Sequence, residues 1–162
     1  FLKKREPEIT RESANRLVPE ANALALAGAS DAGVRTVLDL APGLPDVAVD
    51  RLQIQQVVIN LVRNAIDAMA ASPRRELSIR TRPAADGGVE VAVIDSGPGL
   101  APEVEDRLFE PFVTTKADGM GVGLSICRTI VETHGGRLWH EANPAGGALF
   151  AFTLPGANPT HG

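Results

Sequence analysis

Three clusters in the 162-residue sequence combine residue types and spacings suited to chemistry. The first is a stripe of amides ending in an acid: Gln53, Gln56, Asn60, Asn64 and Asp67. On a helix these positions fall within roughly 80° of arc, while Ile54, Val57, Val58, Leu61, Val62, Ala65 and Met69 occupy most of the rest. Solvated faces favour Lys and Glu, and Asn is a poor interior helix former because its amide competes for backbone groups. Two Asn residues a helical turn apart therefore suit a face turned toward a ligand, and their oxygens can ligate a hard divalent cation. The second cluster is DSGPG (95–99), directly after the apolar VAVI. It delivers one carboxylate at a strand end and lets the backbone approach a flat ligand closely. The third is GMGVGL (119–124), which leads into a helix. Its alternate glycines leave N–H groups free at a helix start, where anionic oxygens bind well. No strand precedes it, so it is not a dinucleotide fingerprint, and it lacks the Lys and Ser/Thr of a P-loop. Taken singly, an Asp-Gly turn and a glycine-rich loop account for the second and third clusters.

The elements that must position these clusters follow from periodicity. A helix over 50–71 carries the stripe, with Asp50 as N-cap, Gln53 completing a capping box and Val49 stapled to Ile54; Ser72-Pro73 closes it. Strands over 76–82 and 89–95, joined by PAADGG, form an antiparallel pair whose second member delivers Asp95. A half-buried strand spans 34–42. Before it, an Ala-rich helix runs from Ser13, its N-cap, to about Ala29, and Pro19 predicts a late start or a kink. After Gly99 come a short helix over 102–109 and an aperiodic loop over 110–123, long enough to act as a lid. A helix over 124–134 places Ile126, Cys127, Ile130 and Val131 on one side and ends at Gly135-Gly136. GRLWHEAN and GGALFAFTLP make a last antiparallel pair. Residues 1–12 are charged and aperiodic, as in a linker from a preceding domain or a frayed helix end, and 156–162 form a disordered tail. The order segregates helices from strands, which predicts an α+β, two-layer α/β sandwich: a mixed, mostly antiparallel sheet with helices on one face.

Composition narrows the function classes. A net charge of −4 supplies no basic field, so no nucleic-acid partner is expected. The single Cys127 excludes an internal disulfide and, inside an apolar helix, is a buried structural thiol. No apolar run reaches the length of a membrane span, so this segment has no direct membrane contact of its own. The chain opens on Phe1 followed by a charged stretch and is read as part of a longer protein. Together, an amide stripe able to hold Mg²⁺, a strand-end Asp able to accept from an exocyclic amine, and a glycine-lined helix start describe an ATP site.

The same residues carry a family resemblance. QQVVINLVRNAIDAM (55–69) resembles the N box of the GHKL (Bergerat) ATP-binding fold, DSGPG its G1 box, LFEPFVTTK (108–116) its F box, GMGVGLSI (119–126) its G2 box and PAGGALFAFTLP (144–155) its last strand pair. Order and spacing match those of the catalytic domain of bacterial sensor histidine kinases over roughly 13–155, and the exact forms are most similar to the nitrogen-regulation and oxygen-sensing types. The resemblance implies ATP and Mg²⁺ as cofactors and a mobile ATP lid. It implies that Asn64 and Asn60 hold Mg²⁺, that Asp95 accepts from the adenine amine, and that Gly97 and Gly99 close over the base. It sets Thr115, Lys116, Gly119, Gly121, Val122, Gly123 and Leu124 along the phosphates, with Phe109 and Phe112 anchoring the lid. Asn60, Asn64 and Lys116 are the catalytic candidates. Many members carry a basic residue at the place of Asp67, which leaves an acid where phosphate should be near. In hydrolase relatives a Glu one turn before the Mg²⁺ Asn activates water; here that place is Asn60, which favours a kinase. The expected activity is transfer of the γ-phosphoryl group to a His on a separate dimerisation domain, for relay to a response-regulator receiver domain. The expected setting is cytoplasmic, with a homodimer only in the full-length protein. His134, His140 and His161 are read as structural or solvated.

Overall fold

The computed structural model describes residues 6–28, 33–99, 120–143 and 146–157. Among these, three helices and seven strands are present: β1 (Ile9–Glu12), α1 (Ala14–Ala27), β2 (Arg35–Leu40), β3 (Val47–Asp50), α2 (Arg51–Ala68), β4 (Glu76–Pro83), β5 (Val89–Asp95), α3 (Met120–Thr133), β6 (Leu138–Ala142) and β7 (Ala148–Leu154).

The main sheet has the order β2-β4-β5-β7-β6. Only β2 runs parallel to its neighbour; β4, β5, β7 and β6 pair antiparallel. Strand alternation sorts the two faces. Leu77, Ile79, Val89, Val91, Val93, Phe152 and Leu154 point into one core with the apolar face of α2, from Ile54 to Ile66. The alternate positions Ser78, Arg80, Glu90 and Trp139 are half-buried on the opposite face. The helices thus cover a single face, as the segregated element order requires.

The start of α2 is fixed by a buried acid. Asp50, fully buried, accepts the N–H groups of Leu52 at 3.1 Å and Gln53 at 3.4 Å on one oxygen and that of Glu8 at 3.0 Å on the other. A capping box would send the Asp50 N–H to Gln53. It goes instead to His134 Nε2, 3.1 Å away at the end of α3. Because Nε2 accepts, Nδ1 carries the ring proton and donates to the Ile130 carbonyl at 2.8 Å. His134 is therefore structural, as expected. The turn that follows closes with Gly135 N–H to Glu132 O and Gly136 N–H to Val131 O, both at 3.0 Å, the paired bonds of a Schellman motif.

Several sequence expectations shift. Residues 9–12, read as linker, form β1, which pairs antiparallel with β3 in a separate two-stranded sheet. Each of these strands has only four residues, too few for alternation to register. Helix α1 begins at Ala14, not after Pro19, because Leu17, Val18, Ala21 and Ala25 are buried and their packing outweighs the lost N–H. Ser13 occupies the N-cap position without a side-chain cap bond. Helix α3 starts at Met120, so Gly121 and Gly123 lie inside its first turns. Burial of Leu124, Cys127 and Val131 there offsets two poor helix formers. Ile126, expected on the apolar side, is 48% exposed. At the other end, Ala157 N–H bonds the Asp46 carbonyl at 2.7 Å, so the first part of the expected tail is tied to the domain. The expected short helix over 102–109 and most of the lid loop lie outside the described residues.

Replacing Asp50 with Ala takes the acceptor away from three part-buried N–H groups, those of Glu8, Leu52 and Gln53. It should lower unfolding free energy in urea by about 2–4 kcal/mol, against about 1 kcal/mol for His134→Ala. Equal losses for the two variants would place the anchor elsewhere.

Candidate functional site

The amide stripe lies along α2 with Gln56 exposed and Gln53, Asn60, Asn64 and Asp67 half-buried, so it is neither a core face nor a fully solvated one. Asn60 is held at both ends: its Nδ2 donates to Cys127 Sγ at 3.5 Å and its Oδ1 accepts from Gln56 Nε2 at 2.8 Å. Cys127 is buried as expected, and burial pushes its thiol up to about 11. One turn on, Asn64 Nδ2 is buried with no hydrogen-bond partner. A buried amide end left unpaired costs stability, and an amide can turn to put its oxygen there instead. The fold has no use for this group, which fits a side chain kept for a ligand.

Two loops meet α2 around this stripe. The first turns of α3 approach its middle: a Cβ on Gly123 would stand 3.9 Å from Asn60 Nδ2. The second is the loop after β5, which lies against the last turn of α2. Ser96 N–H points to Met69 Sδ at 3.5 Å, and a Cβ on Gly97 would fall 2.9 Å from the Ala68 carbonyl oxygen. Glycine is required at 97 for that approach. Gly99 continues the loop with φ +83°.

Asp95 ends β5 almost fully buried. One carboxylate oxygen accepts the Gly97 N–H at 2.9 Å and the Ala148 N–H at 3.2 Å. Burial raises its carboxyl above the ordinary aspartate range, outweighing those two N–H groups and the nearby His140 imidazole, which pull it down. The sequence reading missed the contribution of β7 to this site. Gly147, at φ +101°, passes so close that a Cβ would stand 2.1 Å from the Asp95 carbonyl oxygen. Asn143 Nδ2 donates to the same carbonyl at 3.2 Å. The Gly146-Gly147 pair ahead of a strand is the signal that marked this approach. A small cavity of about 220 Å³ opens beside Asp95, bounded by Arg74, Ser78, Ser96 and Asn143.

Of the residues singled out from sequence, Asn60, Asn64, Asp67, Asp95, Gly97, Gly99, Gly123 and Leu124 are gathered on or against α2 and its flanking loops. Gly121 and Val122 are placed by their helical backbone alone, and Leu124 is a core residue, 1% exposed. Phe109, Phe112, Thr115, Lys116 and Gly119 lie outside the described residues. No cluster of three or more His, Cys, Asp or Glu able to hold a metal occurs among the described residues. Any cation here would depend on the amides.

A family model described as histidine kinase-, DNA gyrase B- and HSP90-like ATPase matches residues 49–158, more than half of the chain. The chain belongs to this ATPase family. Among relatives, the sensor protein FixL of Bradyrhizobium diazoefficiens is 52% identical over 98% of this chain and 31% of its own length. The chain spans less than a third of the first curated sensor proteins it matches. Among solved structures, the catalytic domain of the histidine kinase ThkA superposes with a TM-score of 0.80 at 35% identity, covering 92% of this chain and 96% of that one. ThkA in complex with the response regulator protein TrrA matches at TM-score 0.78 and 33% identity over 96% of this chain and 44% of that one. Full-length ShkA in complex with AMPPNP matches at TM-score 0.80 and 27% identity over 96% of this chain and 32% of that one. The chain is thus an ATP-binding domain of the histidine-kinase branch of the family, with the α+β fold that membership implies. No helix among the described residues is long and apolar enough to cross a membrane.

The raised Asp95 carboxyl makes a testable statement about stability in this ATPase domain. With its pKa higher folded than unfolded, the native state binds more protons across that interval, and stability falls as pH rises through it. At neutral pH the buried charge is a cost that Asp95→Asn removes. The variant should show a higher urea midpoint than the parent at neutral pH, with the gain vanishing below the ordinary aspartate range. An unchanged midpoint at neutral pH would contradict the desolvation argument.

Proposed function

We propose that this domain binds ATP with Mg²⁺ and transfers the γ-phosphoryl group to a His on a separate dimerisation domain of the same protein, which then passes it to a response-regulator receiver domain. The observation that carries this reading is the Asn64 amide, whose buried Nδ2 has no hydrogen-bond partner and which can turn to present its oxygen instead, one turn from an Asn60 held on both sides. Asn64 and Asn60 would hold the cation. Mg²⁺, when bound, would supply positive charge against the phosphate oxygens.

Each part of the site takes a role in this reading. Asp95 has one oxygen occupied by backbone N–H groups, which leaves the other to accept from the adenine amine. Gly97 and Gly99 bring the backbone against the base. The first turn of α3, with Gly121, Val122 and Gly123, would offer N–H groups that have no partner within the helix to phosphate oxygens, with Gly119 before it and Leu124 after it in the same role. Thr115 and Lys116, with Phe109 and Phe112 as anchors, complete the phosphate side and the lid. Asp67 lies on the same stripe and adds no positive charge, so neutralisation rests on the cation and Lys116.

Transfer is favoured over hydrolysis because Asn60 stands where a hydrolase relative carries Glu. An amide engaged at both ends takes no proton from water at neutral pH. Phosphoryl transfer needs mainly positioning and charge neutralisation, which the cradle supplies without a general base on this chain. Neither described His suits the acceptor role: His134 has both ring nitrogens engaged, and His140 packs on Phe150 with ring centroids 5.1 Å apart. The domain proper would run from 13 to 155 together with β1 and Ala157, which are hydrogen-bonded to it, in the cytoplasm where ATP is supplied, and would dimerise only through the separate dimerisation domain.

Labelled ATP and Mg²⁺ mixed with this chain and a His-bearing dimerisation fragment should place acid-labile label on the fragment. Free phosphate released without labelled fragment would point to an ATPase, and bound nucleotide with no turnover to a sensing module. Asn64→Ala should abolish transfer and weaken Mg²⁺-nucleotide binding by about tenfold or more, as expected for a lost charge-assisted contact. Full transfer by that variant would remove Asn64 from the cation site.

A further inference from the structure

The orientation of the Asn60 amide is decided by a residue on another helix. Its Nδ2 donates to Cys127 Sγ at 3.5 Å, while the thiol aims its own proton toward the Val57 carbonyl, 4.0 Å away. The sulfur therefore meets Asn60 as an acceptor. An acceptor at that place selects the amide nitrogen, because a turned amide would set its oxygen against the sulfur lone pairs. Gln56 cannot make the choice alone: its own amide can turn and satisfy either end of Asn60. Cys127 is fully buried between α2 and α3, and its thiol proton already has the Val57 carbonyl to point to, so a turned Asn60 amide would have to draw that proton away. A thiol also suits the position because it is buried at smaller cost than a hydroxyl and still accepts.

We propose that Cys127 is a positioning residue for the nucleotide site: by holding Asn60 Nδ2 it keeps the amide oxygen turned away from the α2–α3 interface, toward the stripe where the cation would bind. Gln56 bonds the outward oxygen and is the secondary support. This inference rests on the reading of Asn60 given above.

The test uses Cys127→Ala, Cys127→Val and Cys127→Ser. Two quantities are read: the Mg²⁺ concentration that half-saturates binding of a fluorescent ATP analogue, and the Asn60 side-chain amide resonances without Mg²⁺. The Ala and Val variants should raise half-saturating Mg²⁺ roughly three- to tenfold, the equivalent of one lost hydrogen bond, and shift the Asn60 resonances. Cys127→Ser keeps an acceptor and a proton for Val57 and should stay within about twofold of the parent. Ala leaves a cavity and Val overfills the site, so a response shared by Ala and Val but not Ser separates orientation from either packing change. Equal Mg²⁺ responses from Ser and Val, or unchanged Asn60 resonances in Cys127→Val, would overturn the proposal. Nucleotide binding by the parent that ignores Mg²⁺ would overturn the cation reading of the stripe, and the resonances would still decide the amide's orientation.

Discussion

A buried carboxylate at the head of α2 holds three parts of the chain at one point. Asp50 takes backbone N–H groups from its own helix and from Glu8 on the approach to β1, while its N–H reaches His134 at the end of α3. Removing a carboxylate from water is costly, and only a full set of donors offsets that cost. The arrangement therefore tolerates little displacement of any partner. What it sets is the rotation of α2 about its axis. A helix turns 100° per residue, so an error of one residue at the cap would carry the amides of Asn60 and Asn64 from their half-buried line into the core or the solvent.

With that rotation fixed, the apolar face of α2 packs on β5 and the rest of the sheet, and the polar stripe is left between the first turns of α3 and the loop after β5. Close backbone approach fixes the segments around Asp95, alongside side-chain bonds from Ser96 Oγ to the Arg74 carbonyl and from Asn143 Nδ2 to the Asp95 carbonyl. Gly97 lies against Ala68, and Gly147 against Asp95. Such contacts set the geometry within tenths of an ångström, because a Cβ has nowhere to go. The unpartnered Nδ2 of Asn64 on this stripe is a standing cost to the fold. Sites of this kind are where proteins of marginal stability keep groups that only a ligand satisfies.

The same logic explains which features were legible in the sequence. The two-layer architecture, the antiparallel β4-β5 and β6-β7 pairs, the Asp50 cap and the burial of Cys127 all follow from short-range patterns that tertiary packing reinforces. The capping partner did not follow: Gln53 has the right spacing, yet His134 takes the bond from 84 positions away, and no local pattern encodes a contact at that distance. β1 and β3 escaped because each depends on the other for its hydrogen bonds. The start of α3 was misplaced because glycine argues against helix locally, while burial of Leu124 and Cys127 decides for it globally. At the site, Asp95, Asn60 and Asn64 were legible as residue types at telling spacings. The supports behind them, Ala148 N–H for Asp95 and Cys127 for Asn60, come from distant strands and helices.

The electrostatics of Asp95 link the cost of the site to its selectivity. One oxygen of this buried carboxylate already accepts two backbone N–H groups, yet burial still raises the carboxyl above its ordinary range, so the charge remains under-solvated. On the proposed reading, an exocyclic amine donating to the other oxygen restores part of the lost solvation and pulls the carboxyl back down. A base presenting a carbonyl at that point would set acceptor against acceptor, leaving the charge both buried and opposed. Selectivity of this kind comes from the penalty on the wrong base as much as from the bond to the right one. A well-hydrated aspartate could fall back on water with either base and would discriminate less. On that reading, the burial that raises the Asp95 carboxyl would also be the condition for it to distinguish adenine from guanine.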